Sequence, residues 1–179
     1  MEAIAARAGV NKALLYYYFR GKEELYAAIL ESHLQEFHRR ASEILSAKGP
    51  ARSLLLRYMS LHFDFLGQRP FFPRLIHRLM TTAGQPARRL VQEYTAPLYR
   101  RLVEVVERGV RARELRPVDS HHTVYSLVAL TVFYFSAAPI IKSVSHIDPF
   151  DPVNVQRRKR EVLKLVRYGL FREPEARLP

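Results

Sequence analysis

Between Lys22 and Lys48 the chain runs without Gly or Pro, and Leu25, Ile29, Leu34, Phe37, Ala41, Ile44 and Leu45 recur at spacings of three, four and five. That spacing predicts one long amphipathic helix. Gly49-Pro50 ends it and opens a second helix over 51–68, whose Leu54, Leu55, Tyr58, Met59, His62, Phe63, Phe65 and Leu66 form a wide apolar surface, broken by Gln68-Arg69-Pro70. Phe71 to Met80 reads as a short helix closed by Ala83-Gly84-Gln85-Pro86. A longer one follows from Ala87 to Leu115, with a kink expected at Pro97. Asp119 or Ser120 caps a helix from His121 to about Ser145, and Asp151-Pro152 starts the last, to about Phe171. Nowhere do β-branched residues alternate with polar ones over a strand's length, so the pattern predicts an all-α chain of about nine helices without internal repeats.

The first 25 residues carry a different signal, two short helices separated by a sharp turn. Ile4, Ala5 and Ala8 give the first an apolar face, Gly9 supplies the turn, and Asn11 is a good N-cap for the second. On that second helix, from Lys12 to Phe19, Leu15 and Phe19 fall on the inward side. Lys12, Ala13, Tyr16, Tyr17 and Tyr18 are left to point outward or sideways. A small residue at Ala5, before the turn, and an aliphatic one at Leu15, after it, fit two helices that cross closely as a helix-turn-helix.

The run IAARAGVNKALLYYYFRGKEELYAAIL, Ile4 to Leu30, resembles the DNA-binding segment of the tetracycline-repressor (TetR) family of bacterial transcriptional regulators. The resemblance implies a DNA-binding helix-turn-helix within 1–31, including the start of the connecting helix, and a larger helical ligand-binding and dimerisation domain over 32–179. It implies a homodimer on a palindromic double-stranded DNA operator, with Lys12 and Ala13 near base edges, Tyr16, Tyr17 and Tyr18 against phosphates or bases, and Lys22 on a phosphate. It also implies a ligand among the later helices that changes the separation of the two reading heads, most simply as a repressor. The family begins with a further helix packed across the helix-turn-helix, and Met1 stands inside the motif's first helix. Two expectations follow: either the functional protein starts roughly 30 to 40 residues upstream, or the chain is a dimeric small-molecule-binding module without competent DNA binding.

From Ser120 to Ile141 there are 22 residues without Asp, Glu, Lys or Arg. Their Ser, Thr, His and Pro content argues for a buried helix and against a membrane span. A helix apolar all round needs cover on every side, and a second subunit supplies it. The resemblance places the dimer interface on the last two long helices, where Val155, Val162, Leu163, Val166 and Leu170 line one side of the final one. Arg157 to Arg160 then reads as a solvated face. The resemblance suggests that some of the many aromatic residues line a cavity for a hydrophobic or aromatic ligand, with Phe63, Phe71, Tyr94 and Phe133 as candidates.

Composition narrows the chemistry. The chain of 179 residues is 48% hydrophobic and 26% charged, ordinary for a globular protein. It has no cysteine, and therefore no disulfide, thiolate metal site or Cys nucleophile. It has no nucleophile elbow, phosphate loop or His-Glu-x-x-His motif, so neither an enzyme nor a cofactor or metal site is expected. His121 and His122 are adjacent and diverge on a helix, which makes them capping or interface residues, while His62 and His77 read as core histidines or pocket anchors. Met1-Glu2-Ala3 does not open a signal peptide, leaving the cytoplasm as the default. The net charge is +12, yet residues 1–47 hold six basic residues against six Glu, so the whole surplus lies downstream. The tip itself, residues 1–22, carries Arg7, Lys12, Arg20 and Lys22 against Glu2, and is locally basic and compatible with phosphate contact.

Overall fold

The computed structural model describes residues 1–82 and 85–172. Ten α-helices span them: α1 Glu2–Ala8, α2 Lys12–Tyr18, α3 Lys22–Ser46, α4 Ala51–Gly67, α5 Phe72–Thr82, α6 Gln85–Leu90, α7 Ala96–Arg111, α8 Ser120–Ser136, α9 Ala138–Ser145 and α10 Pro152–Leu170. A π-helical turn, Val91–Thr95, joins α6 to α7. Among the described residues the only β pairing is an isolated bridge between Leu115 and Phe171, which ties the loop after α7 to the end of α10.

Local chemistry sets most of the helix ends. Gly9 adopts the left-handed conformation at φ 65° that ends α1, and the Asn11 side chain accepts from the Ala13 N–H at 2.9 Å to start α2. Asp119 caps α8 through the His122 N–H at 2.8 Å, and Asp151 caps α10 through Val153 N–H at 2.9 Å. Among the departures from expectation, two have their cause in proline. The single helix expected over 121–145 is two, α8 and α9, bent by 67° at Ala137, because Pro139 lacks the N–H that would continue the α8 ladder and fits the first turn of a new helix instead. At Pro97 the missing N–H and the ring's clash with the carbonyl four residues back are absorbed by the wider π turn just before it. Ala83 and Gly84, expected to close α5, lie outside the described residues. No single helix among the described residues is long and apolar enough to cross a membrane.

The body is organised around α4, which packs against α3, α7, α8 and α10. Ala51, Leu54, Leu55, Met59, Phe63 and Leu66, on several sides of this helix, are all buried. Its start crosses α7 at Gly109, and its end meets α10 at Val155. Lys159 of α10 clamps Asp64 of α4 with both carboxylate oxygens, at 2.8 and 2.9 Å. The expected solvated run Arg157–Arg160 is therefore split: Arg157 and Arg160 are exposed, Lys159 is turned inward, and the Arg158 guanidinium lies over the Tyr134 ring at 5.3 Å.

The α4–α7 crossing needs a residue without Cβ at 109. A Cβ there would meet the Leu115 side chain at 2.7 Å and Ala51 Cβ at 2.8 Å, and Ala51 Cβ is rigidly tied to the backbone. Gly109→Ala should therefore lower stability by about 1–3 kcal/mol through overpacking, outweighing the gain of about 1 kcal/mol in helix propensity. Urea denaturation checks this; a stabilised variant would mean that the crossing relaxes freely.

Candidate nucleic-acid interface and the helices that carry it

α1 and α2 form a pair joined by the left-handed Gly9 and the Asn11 cap, the geometry of a helix-turn-helix. None of the residues of α2 is buried. Leu15 and Phe19 are half-buried on its inner side, and Phe19 is extended, so the helix ends one residue earlier than expected, at Tyr18. All six candidate contact residues, Lys12, Ala13, Tyr16, Tyr17, Tyr18 and Lys22, are exposed. Tyr17 is 81% exposed and stands edge-on to Tyr18 with ring centres 5.1 Å apart, which presents a hydroxyl-tipped aromatic surface. Lys12 makes a surface ion pair with Glu2 at 3.6 Å, an interaction weak enough to be exchanged for a phosphate. A hollow of about 1040 Å³ lies against the head, lined by Met1, Tyr16, Arg20 and Lys22 among others.

The head is carried on α3, whose 25 residues reach about 37 Å. Two arginines hold the middle of this helix to the body. Arg69, after α4, bonds Glu36 at 2.7 Å, donates to His33 Nδ1 at 3.3 Å and lies over the Phe65 ring at 4.3 Å. Arg89 of α6 pairs with Glu31 at 2.5 Å. Both arginines are charge-assisted anchors that the apolar periodicity of α3 does not reveal.

The chain's own core claims most of the expected dimer residues. Val155, Val162, Val166 and Leu170 are buried within the monomer, and Leu163 is half-buried against the same core. This corrects the expected interface at Val155, Val162, Val166 and Leu170, because a side chain buried in its own core has no surface left for a partner, whereas Leu163 keeps part of its surface. The exposed apolar residues are a different set: Tyr125 and Phe133 on α8, and Val153, Leu165 and Tyr168 on α10. The signal was present in the sequence, since Leu165 next to Val166 gives α10 apolar residues on two sides.

The four candidate pocket aromatics do not converge. Phe63 is fully buried against Phe135, and Tyr94 is buried in the π turn, edge-on to His38 at 5.9 Å. Phe71 is exposed beside His33, and Phe133 is 70% exposed on α8, so neither lines the interior. Among the histidines, His121 bonds the Tyr99 hydroxyl, which also donates to Tyr125 at 3.1 Å. His62 lies in the core beside Thr131 at 2.8 Å. The Thr131 hydroxyl gives its one proton to the Val128 carbonyl at 2.8 Å, leaving a lone pair for His62 Nδ1–H.

Two family models match this chain: that of the bacterial regulatory proteins of the tetR family over residues 1–29, and that of the tetracyclin repressor-like C-terminal domain over residues 52–166. The chain belongs to the TetR family. It is 28% identical over 173 residues to the HTH-type transcriptional regulator RutR of Escherichia coli (strain K12), a match spanning 95% of this chain and 80% of that protein. The crystal structure of a TetR/AcrR-family transcriptional regulator from Thermobifida fusca has a TM-score of 0.73 at 20% identity, covering 95% of this chain and 85% of the other. AibR, solved in complex with isovaleryl coenzyme A and operator DNA, has a TM-score of 0.73 at 15% identity, covering 91% and 84%. The fold is thus that of TetR-family regulators, with the helix-turn-helix at the N-terminus and the helical body after it.

His62 gives this TetR-family body a pH dependence. Burial holds the imidazole down to about 4 from its ordinary 6.5. As pH falls from 6.5 toward 4, the unfolded chain takes up a proton that the folded chain refuses, so stability is lost in that window, by up to about 3 kcal/mol from this residue. His62→Asn keeps a donor near Nδ1 and cannot charge, so its stability profile should be flatter than that of the unsubstituted chain over the same window. Denaturant titrations across that range decide it, and parallel profiles would contradict the assignment.

Proposed function

We propose that the chain is a ligand-responsive transcriptional repressor that binds a palindromic operator as a homodimer in the cytoplasm. The observation that carries the reading is α2: a capped helix with no buried residue, held at the end of a long rigid helix and offering Lys12, Ala13, Tyr16, Tyr17 and Tyr18 to solvent. Residues near its N-terminus, Lys12 and Ala13, approach base edges in the major groove. Lys22, in the first turn of α3, takes a phosphate, and the tyrosines fix the register on the backbone. AibR, which shares the fold, was solved with both isovaleryl coenzyme A and operator DNA, which supports a reading that joins a ligand to an operator.

The second copy covers the outer face of α8 and α10, where Tyr125, Phe133, Val153, Leu165 and Tyr168 are exposed. The small, chiefly hydrophobic or aromatic ligand enters the body beside the buried His62–Thr131 pair, where the Phe37 and Tyr58 rings stand against the imidazole. A ligand that parts α4 from α3 strains the Arg69–Glu36 contact and tilts the head.

Two substitutions separate the roles. Lys22→Ala should weaken binding to every duplex alike and lower the slope of log affinity against log salt by about one; fluorescence anisotropy over a salt series reads this, and altered base preference at an unchanged slope contradicts it. Tyr168→Glu should yield folded monomers in sedimentation equilibrium. Val166→Glu should instead unfold the chain, by burying an unpaired charge. An intact Tyr168→Glu dimer would remove the outer face of α10 from the interface.

A further inference from the structure

The DNA-reading role leaves the chain's main electrostatic feature unused. The surplus of +12 lies downstream of residue 47, away from the head. Part of it gathers on one stripe of α7, where Arg100, Arg101, Glu104, Arg108 and Arg111 follow at helical spacing and line a surface groove of about 660 Å³ against the C-terminal end of α3. All four arginines are exposed.

Their present partners compensate little of this charge. Arg101 is hooked on the Ser46 hydroxyl and Arg108 reaches the Gly49 carbonyl at 3.5 Å, both neutral oxygens. Arg111 meets Glu107 at a loose 3.7 Å. Glu104 is the only carboxylate lining the groove. A guanidinium has five N–H donors in a planar fork, and one contact to a neutral oxygen leaves most of that fork free while restricting the side chain's motion. Such forks match the paired oxygens of phosphate groups.

The geometry points to a binding site for a small phosphorylated anion, of the size of a di- or triphosphate, between α7 and the end of α3. Binding would draw Arg101 from Ser46, at the end of α3 remote from the head, and Arg108 from Gly49, in the loop that follows, leaving that end to its apolar packing at Ala41 and Leu45. The bound anion thereby loosens the helix that carries the head and lowers DNA affinity. That consequence rests on the proposed DNA-reading role, whereas anion binding is measured without DNA.

The test is calorimetric titration of the full chain with tripolyphosphate at low salt. Saturable binding of one anion per chain is expected, weakened roughly tenfold or more in the Arg100→Ala, Arg111→Ala double variant. Glu104→Gln, which removes the one carboxylate in the groove, should tighten it. Both variants alter exposed side chains, and unchanged thermal melting confirms that they fold. Absence of saturable binding, or the same affinity in both variants, overturns the site. In a second arm, a non-palindromic duplex is titrated into the Lys12→Ala, Lys22→Ala chain. Duplex binding that disappears when Arg100→Ala and Arg111→Ala are added would assign the groove to nucleic acid and overturn the small-anion reading; no such binding supports it.

Discussion

Everything in this molecule is placed relative to the burial of α4. Its residues from Ala51 to Leu66 are covered on several sides, and a helix that must be covered so completely dictates where its neighbours go. The crossings are close, with Gly109 of α7 against Ala51 at one end and Gly67 against Val155 of α10 at the other. Because α4 takes the inner sides of α8 and α10, their remaining apolar residues are left outward. The outer face of the body is thus a consequence of the inner packing.

The same constraint reaches the head through α3, which lies on α4 and is pinned by Arg69 and Arg89 at Glu36 and Glu31. The head adds little burial of its own: α2 buries no residue, and the Lys12–Glu2 pair is a solvent-exposed contact. Stability and function therefore divide along the chain. The body holds the geometry, and the head leaves most of its side chains exposed.

Features decided by local chemistry were legible in the sequence. The left-handed Gly9, the Asn11 cap, the Gly49-Pro50 break and the helix start at Asp151 each depend on a few adjacent residues and stand where the sequence puts them, and of the two candidate caps for α8 the structure uses Asp119. Features decided by which neighbour arrives first were not. Periodicity finds the apolar residues of α10 but cannot say which side α4 claims, so it does not separate the buried Val162 and Val166 from the exposed Leu165 and Tyr168. The break at Ala137 and the π turn before Pro97 follow from proline chemistry, yet whether a proline kinks, bulges or ends a helix depends on packing around it. Likewise, the Lys159–Asp64 clamp joins residues 95 positions apart, and no local pattern announces it.

We infer that burial of α4 leaves one face of α8 and α10 for a second copy, and that this pairing sets two α2 helices at a spacing DNA can use. A chain without cysteine permits a direct test: a single spin label at Leu14→Cys, an exposed position on α2 outside the proposed contacts. Pulsed electron resonance on the operator-bound protein should give one narrow interlabel distance, centred within a label's length of one helical turn of DNA, about 34–36 Å. A distribution without a dipolar distance, or one that Tyr168→Glu leaves unchanged, would contradict the account.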